Sequence, residues 1–258
     1  MPFFYKNKRL VFTVISVFLL GGVYYSTQYV KHSITNFLMD KGNDYLYGLA
    51  YNPVKAERYF RWALLLDPEI WHGNLELAKA FAIQKKFEDA LEAVNREIAH
   101  DSRFSKAYYV RGLIYGFGGQ PENAEDDFKK VLEIVPDDAD PTKWAAYNDL
   151  AWTQFMQGKY EEMEETSRTG LLAYPDNTWI LNSLGLALLN LGKREEARHF
   201  LGKALSGAKK LTNEDVIRAY PFLDPNYVDS RKFGLISTIQ FNLNLVSISA
   251  DTESVTAP

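Results

Sequence analysis

One arrangement of apolar and polar positions recurs along most of the chain. A small residue is followed by a large apolar residue three positions later, and an alanine stands twelve positions after the small residue. Another large apolar residue comes four positions after the alanine, and a proline eight beyond that. In residues 106–138 these positions are Gly112, Tyr115, Ala124, Phe128 and Pro136. The spacing predicts two antiparallel helices that approach closely at the small residue and cross at the alanine, with the proline ending the second helix.

Five copies of this unit follow one another between about residues 37 and 211. The second, third and fifth keep the spacing, with Ala90, Ala124 and Ala197 at the crossing position. The fourth follows an insertion at 139–143 and carries Met163 there instead. The first copy lacks the small residue, because Asp44 stands at the expected place. Tandem units of this size predict an all-α solenoid over residues 33–211 with an atypical first repeat.

The unit resembles the tetratricopeptide repeat, a helix–turn–helix of 34 residues. The shift from Ala90 to Ala124 is 34 residues, as is the shift from Met163 to Ala197. The resemblance implies a right-handed helical solenoid whose concave groove holds a peptide or a helix of a partner protein. It also implies that the repeats carry no chemistry of their own.

Residues 10–30 form an uninterrupted uncharged run, LVFTVISVFLLGGVYYSTQYV. At ~1.5 Å per residue this run reaches about 30 Å as a helix, enough to cross a bilayer. Lys6, Lys8 and Arg9 precede it and Lys31 follows it, so the positive-inside rule predicts a cytoplasmic N-terminus. We expect residues 1–32 to be a stub and a transmembrane anchor. The alternative is a cleaved signal peptide, but a bulky Val-Tyr-Tyr follows Gly21-Gly22 where a peptidase needs small residues.

Residues 212–249 follow the repeats and are expected to cap them. Thr212 is a predicted N-cap with acidic residues behind it, and Pro221 and Pro225 predict a loop. The apolar positions in 229–248 fit helical spacing, although an alternation at 239–245 also fits a strand. A solenoid needs its last apolar face covered, so a capping helix is the preferred prediction. Residues 250–258 are expected to be a disordered tail.

The composition and the motifs indicate neither an enzyme nor a cofactor-binding or metal-binding protein. The 258 residues include no cysteine, and the net charge of −4 comes without a basic block typical of nucleic-acid binding. The four histidines are far apart in sequence, and residues 116–119 (GFGG) lack the Lys-Ser/Thr of a phosphate loop. The acidic residues Asp137, Asp138 and Asp140 do not form a calcium loop, and we expect a solvated linker there.

In the tetratricopeptide register, particular positions of each first helix line the groove. The predicted partner-binding residues are Tyr109, Leu113, Phe117, Asn148, Trp152, Phe155, Met156, Trp179, Asn182 and Leu186. The aromatic residues would anchor an amphipathic helix or an apolar peptide, while the amides would bind its backbone. The alternative is that residues 229–248 or neighbouring repeats cover this face, since so large an apolar surface is seldom left exposed.

Chaperone-binding members of the family clamp a C-terminal carboxylate with several lysine, asparagine and arginine residues. Here Lys79 and Lys106 are the only cations that the register places in the groove, so this specificity is not expected. The sequence instead predicts a non-enzymatic scaffold or accessory subunit of a membrane complex, in a bacterial inner membrane with the repeats in the periplasm. Its partners would be proteins or peptides, and residues 10–30 would contact lipid. The alternative function is an assembly factor or holdase chaperone for exported or membrane-bound clients.

Overall fold

The computed structural model describes residues 8–136, 138–220 and 222–254, and the side chains of residues 24–247 apart from Asp137 and Pro221. These residues form twelve α-helices and no strand. The helices are α1 (Lys8–Tyr47), α2 (Pro53–Leu66), α3 (Gly73–Ile83), α4 (Phe87–His100), α5 (Ser105–Phe117), α6 (Pro121–Ile134), α7 (Pro141–Met156), α8 (Tyr160–Ala173), α9 (Thr178–Asn190), α10 (Arg194–Lys210), α11 (Asn213–Ala219) and α12 (Val228–Ser254). A 3-10 turn, Pro225–Tyr227, precedes α12.

Helices α1 to α10 pack as five successive pairs, which confirms the predicted solenoid of helical repeats. The crossing alanines Ala90, Ala124 and Ala197 are fully buried. The first helices of neighbouring repeats (α1, α3, α5, α7 and α9) also contact each other, whereas the second helices contact the next repeat mainly through its first helix. The stack therefore curves with its first helices on the inner side. We call the side formed by α3, α5, α7 and α9 the groove face.

Four repeats join their two helices through the same tight turn. Its second residue has a left-handed backbone, with φ of 77° at Gly119, 71° at Gly158 and 74° at Gly192. In the second repeat the equivalent position is Lys85, with φ of 59°. The residue after it donates its N–H to a carbonyl five residues back, as Gln120 does to Tyr115 at 2.9 Å. The GFGG segment thus forms a helix-ending turn, which glycine favours because it lacks a Cβ.

The first repeat has its small residue, contrary to the sequence expectation at Asp44. Gly42 faces Phe60, and a Cβ on Gly42 would lie 2.3 Å from that ring. The equivalent pairs in the third and fifth repeats are Gly112 with Phe128 and Gly185 with Leu201. The turn of the first repeat runs from residue 48 to residue 52 and is two residues longer than the turn at 118–120. The longer turn moves the small residue two positions towards the N-terminus.

The insertion before the fourth repeat lengthens its first helix. Asp140 caps α7 by accepting the N–H of Thr142 at 2.8 Å, and Pro141 occupies the first turn. Helix α7 consequently has 16 residues, against 13 in α5 and α9. Asp138 accepts a hydrogen bond from Lys143 at 2.6 Å, and Asp137 lies outside the described residues. The predicted acidic linker is therefore partly the start of a helix.

Helix α12 covers the end of the solenoid, in agreement with the preferred capping helix rather than a strand. Its Ile239 and Val246 are fully buried against apolar residues of α9 and α10, including Leu184 and Leu201. Thr212 and Asp215 form a reciprocal cap at the start of α11, as the sequence predicts. Helix α12 ends at Ser254, inside the segment expected to be disordered, and residues 255–258 lie outside the described residues.

Helix α1 is continuous for 40 residues, from Lys8 to Tyr47, about 60 Å at ~1.5 Å per residue. Lys6 and the side chains of residues 10–23, most of the predicted membrane segment, lie outside what the structure describes. In the described part, no helix combines the length and the apolar character needed to span a bilayer.

Candidate functional site

An aromatic cluster is exposed on the groove face at the C-terminal end of α7. Trp152 stacks on Phe155 with ring centroids 5.1 Å apart, and Phe155 contacts the ring of Tyr160 at 5.9 Å. Trp152 is 48% exposed and Met156 43% exposed. Phe155 and Leu186 are half-buried and pack on the same small core, so four of the predicted partner-binding residues lie together here. We call Trp152, Phe155, Met156 and Leu186 the aromatic cluster.

Two other predicted groove residues, Tyr109 and Trp179, are buried. Trp179 stacks on Trp144 with ring centroids 5.3 Å apart, and its indole N–H donates to the hydroxyl of Tyr220 at 3.3 Å. Tyr109 packs beside Phe128 and is 6% exposed. These two residues belong to the packing between repeats and under the C-terminal segment.

A hydrogen-bonded network joins the third, fourth and fifth repeats below the groove face. Tyr109 donates its hydroxyl to Asp149 at 2.7 Å, and Asn148 donates its amide to the same carboxylate at 3.0 Å. Ser183 donates to the amide oxygen of Asn148 at 3.2 Å. Asn148, which was predicted to bind a partner, thus hydrogen-bonds to Asp149 and to Ser183 of the next repeat. Its amide group makes these bonds without a partner protein.

Asp149 carries unusual electrostatics for a position on the groove face. Burial raises the pKa of its carboxyl to about 6, against the opposing effect of the hydrogen bonds from Tyr109 and Asn148. Burial and the nearby Asp149 in turn raise the pKa of the Tyr109 hydroxyl well above its usual value. Among the described residues, no lysine, arginine or histidine forms an ion pair with Asp149. The sequence reasoning missed Asp149 because the repeat register places it beside, not at, a groove position.

Leu113 and Asn182, the remaining half-buried residues of the predicted set, contribute less surface. Leu113 packs against the core of the third and fourth repeats. The side-chain oxygen of Asn182 is buried without a hydrogen-bond partner among the described groups. Phe117, the last of the set, is 65% exposed at the end of α5.

The segment that lies on the groove face consists of residues 220 and 222–224, and not of residues 229–248, which were the alternative cover. Tyr220 contacts Trp179 of the fifth repeat, whereas Phe222 lies 5.9 Å from the ring of Phe117 in the third. Helix α12, which contains the predicted segment, instead packs on α10 and α11 at the end of the stack. Sequence periodicity could not locate this segment, because a short connection outside the repeats has no periodic pattern. Its two aromatic residues beside prolines were the available signal.

The structure gives no support to a carboxylate clamp or to a metal centre in the part that it describes. Lys79 donates to Glu76 at 2.8 Å and to the hydroxyl of Tyr47 at 3.1 Å, so this groove cation is already paired. No group of three or more acidic or histidine side chains is placed to hold a metal within the described residues.

Family models agree with the repeats that the structure shows. Three models described as tetratricopeptide repeat match residues 52–106, 105–138 and 178–215. None of these matches covers residues 139–177, the fourth repeat, in which Met163 and Gly170 replace the usual residues. The matches and the solved structures below support the tetratricopeptide repeat family.

The similar curated proteins are much longer than this chain. Human tetratricopeptide repeat protein 16 is 28% identical over 137 residues, covering 45% of this chain and 16% of that protein. The Hsp70-Hsp90 organizing protein of Triticum aestivum is 25% identical over 140 residues, covering 54% of this chain and 23% of that protein. The chain thus spans a quarter or less of the length of these relatives.

Solved structures match a larger share of the chain. The Pseudomonas aeruginosa PilF structure has a TM-score of 0.62 at 15% identity, covering 86% of this chain and 99% of PilF. PilW, described as a widely conserved type IV pilus biogenesis factor, has a TM-score of 0.60 at 18% identity, covering 83% of this chain and 98% of PilW. MamA has a TM-score of 0.57 at 22% identity, covering 69% and 94%. At these identities the likeness establishes the fold.

Proposed function

Proceeding from a solenoid of tetratricopeptide repeats, we propose that this chain is a non-enzymatic, membrane-anchored scaffold or accessory subunit of a membrane complex. Its repeats would hold a protein partner on the groove face, in the periplasm of a bacterium whose inner membrane carries residues 10–30. The repeat fold supports the protein–protein part of this function, since tetratricopeptide repeats mediate protein interactions.

The aromatic cluster is the observation that carries the proposal. Trp152 and Met156 are exposed beside each other, while Phe155 and Leu186 beneath them are fixed by the core. A rigid tryptophan on a supported apolar base is typical of residues that dominate binding energy, because it buries a large area at a small entropy cost. Trp152 stacks on Phe155 within the same helix, so it is held in place before a partner arrives.

The geometry of α1 supports the anchor. Tyr24, Tyr25 and Tyr29 are exposed in the last turns of the uncharged run, where aromatic residues suit a membrane interface. Lys31, the first residue after the run, forms an ion pair with Asp67 at 3.6 Å. This pair ties the end of α2 to the point where the predicted span ends, so the first repeat would rest at the bilayer surface.

The experiment is affinity purification of the tagged chain from native membranes in mild detergent, comparing Trp152→Ala with Trp62→Ala. Trp62 is a matched control, since it is 46% exposed and lies on a second helix away from the groove face. We expect Trp152→Ala to lose partners that Trp62→Ala retains, with unchanged helicity in both. Equal retention in the two variants would refute docking on the aromatic cluster.

A second candidate is an assembly factor or holdase. The contacts of residues 220 and 222–224 with the groove face favour it, because a face that the chain itself can occupy suits exchangeable clients. Similar repeats occur in a protein named as an Hsp70-Hsp90 organizer and, by fold, in a pilus biogenesis factor. Quantifying the co-purified chains separates the two functions. A few partners at fixed stoichiometry indicate a scaffold, and many substoichiometric ones indicate a holdase.

A further inference from the structure

Residues 220 and 222–224, which we call the strap, lie across the groove face as a bound peptide would. Tyr220 accepts a hydrogen bond from the indole of Trp179 at 3.3 Å, and its ring meets that indole edge-on at 6.5 Å. The guanidinium of Arg231, in the first turn of α12, lies over the Tyr220 ring, 5.4 Å from its centroid. One aromatic residue of the strap is thus seated at the fifth repeat.

The second aromatic residue reaches the other half of the solenoid. The Phe222 ring lies 5.9 Å from the Phe117 ring of α5 and packs against the core of the first three repeats. Asp224 follows close to Tyr51, in the turn between α1 and α2, and adds to the rise that burial causes in the pKa of that phenol. The strap therefore contacts the fifth repeat through Tyr220 and the third through Phe222, which also packs on the core of the first three repeats.

Side chains hold the strap, and its described backbone is free of the repeats. Leu223 donates its N–H to the carbonyl of Tyr220 at 3.0 Å, a bond within the strap itself. No backbone–backbone hydrogen bond joins the described part of the strap to α1–α10. A segment held by two aromatic side chains can leave without breaking secondary structure, unlike a strand or a helix of the core.

We propose that the strap is an internal ligand of the groove, and that the external ligand is an extended peptide with two aromatic residues separated by one residue. The Tyr-Pro-Phe of residues 220–222 has this pattern. The proposal rests on the proposed function in taking the groove face as the docking site, and it adds the ligand class and a self-masking device. Because the strap is tethered at both ends, its effective concentration is about millimolar, and it outcompetes a free peptide of modest affinity.

The test uses the full chain in detergent and a fluorescein-labelled peptide of residues 218–226 (RAYPFLDPN), followed by anisotropy. The double variant Tyr220→Ala with Phe222→Ala removes both aromatic side chains of the strap. It leaves unchanged Trp179 and Phe117, the residues that they contact. We expect this variant to bind the peptide at least tenfold more tightly than the natural chain. Tyr227→Ala is the matched control, because Tyr227 is an exposed aromatic residue just beyond the strap, and should bind like the natural chain. The peptide with both aromatic residues changed to alanine should not bind.

A change in the groove face tests the same idea from the other side of the contact. Phe117→Ala, added to the variant that carries Tyr220→Ala and Phe222→Ala, removes the ring that the second aromatic residue of the peptide would contact. The peptide affinity should then fall at least tenfold below that of the double variant. Equal peptide affinity in the natural chain and the double variant, or an affinity that does not respond to Phe117→Ala, would overturn the proposal. If the peptide does not bind but partner capture still depends on Trp152, the strap inference alone is wrong. If the peptide binds as expected but partner capture does not depend on Trp152, the proposed function alone is wrong.

Discussion

Lys85 has a left-handed backbone at a turn position that glycine occupies in the third, fourth and fifth repeats. Its φ is 59°, and the equivalent turn positions are Gly119, Gly158 and Gly192. A left-handed backbone costs a residue with a Cβ roughly 1–2 kcal/mol, whereas glycine adopts it freely. Lys85→Gly should therefore stabilise the chain by about 0.5–1 kcal/mol, after allowing for the greater entropy that glycine loses on folding.

Urea unfolding of the natural chain and Lys85→Gly measures this difference. Gly119→Lys is the reverse change in the third repeat and should destabilise, although open space surrounds its Cβ position. A destabilised Lys85→Gly would mean that the lysine side chain stabilises the turn by more than the backbone strain costs.

Asp149 makes stability depend on pH in the opposite direction from most carboxylates. Its pKa is about 6 in the folded chain, above that of an unfolded aspartate, so the folded state holds the proton more tightly. The resulting stabilisation is complete below about pH 4 and is lost as the pH rises to about 6. Asp149→Asn should remove this loss and raise the free energy of unfolding at pH 7 by on the order of 1–2 kcal/mol.

The measurement is the difference in unfolding free energy between Asp149→Asn and the natural chain from pH 4 to pH 7. Taking the difference cancels the contributions of other carboxylates, which are the same in both chains. One of these is Glu125, whose pKa is lowered to about 2, so that its stabilisation is lost as the pH falls towards 2. The groups facing Asp149 are the Tyr109 and Tyr220 hydroxyls and the Asn148 amide. Asp126→Asn, an exposed change on α6, is the control. Parallel curves for Asp149→Asn and the natural chain would contradict the raised pKa.

At the scale of the element, each repeat depends on the close approach of its two helices. A Cβ on Gly112 would lie 2.8 Å from the Phe128 ring, which is buried and cannot move freely. Gly112→Ala should cost about 1–3 kcal/mol through overpacking. Gly202→Ala is the matched control, because its Cβ meets nothing within 4 Å and alanine suits a helix interior better than glycine.

Chemical unfolding of both variants checks the prediction, with Phe128→Leu added to Gly112→Ala as a double variant. The smaller leucine should recover part of the loss if the steric conflict is its cause. Equal stability of Gly112→Ala and the natural chain would show that the two helices can separate at little cost.

The element scale also shows what the sequence could and could not predict. Helix pairs in the second, third and fifth repeats follow from the 34-residue spacing, because close approach and crossing depend on a few local residues. The small residue of the first repeat was missed, because a longer turn moves it from the expected position 44 to Gly42. The place of the strap was beyond prediction for a related reason. Its contacts join Tyr220 and Phe222 to residues 41 and 105 positions away, at Trp179 and Phe117.

At the scale of the whole molecule, the proposed anchor would set the orientation of the solenoid on a membrane. The Lys31–Asp67 pair fixes the end of α2 at the level where the predicted span ends. Leu65 is 80% exposed and Trp71 is 61% exposed, and both lie within four residues of Asp67. Exposed tryptophan and leucine beside a lysine suit the headgroup region of a bilayer better than water.

Fluorescence of the full chain in nanodiscs that contain brominated phospholipid tests this orientation, because bromine quenches tryptophans near the acyl chains. The natural chain should be quenched, Trp71→Phe should lose most of that quenching, and Trp152→Phe should retain it, since Trp152 lies on the fourth repeat. Quenching that survives Trp71→Phe would reject this contact, and a chain that fails to enter nanodiscs would reject the anchor itself. A first repeat seated on lipid would bring the groove face within reach of membrane-bound partners, so that weak docking on Trp152 becomes sufficient at their high local concentration.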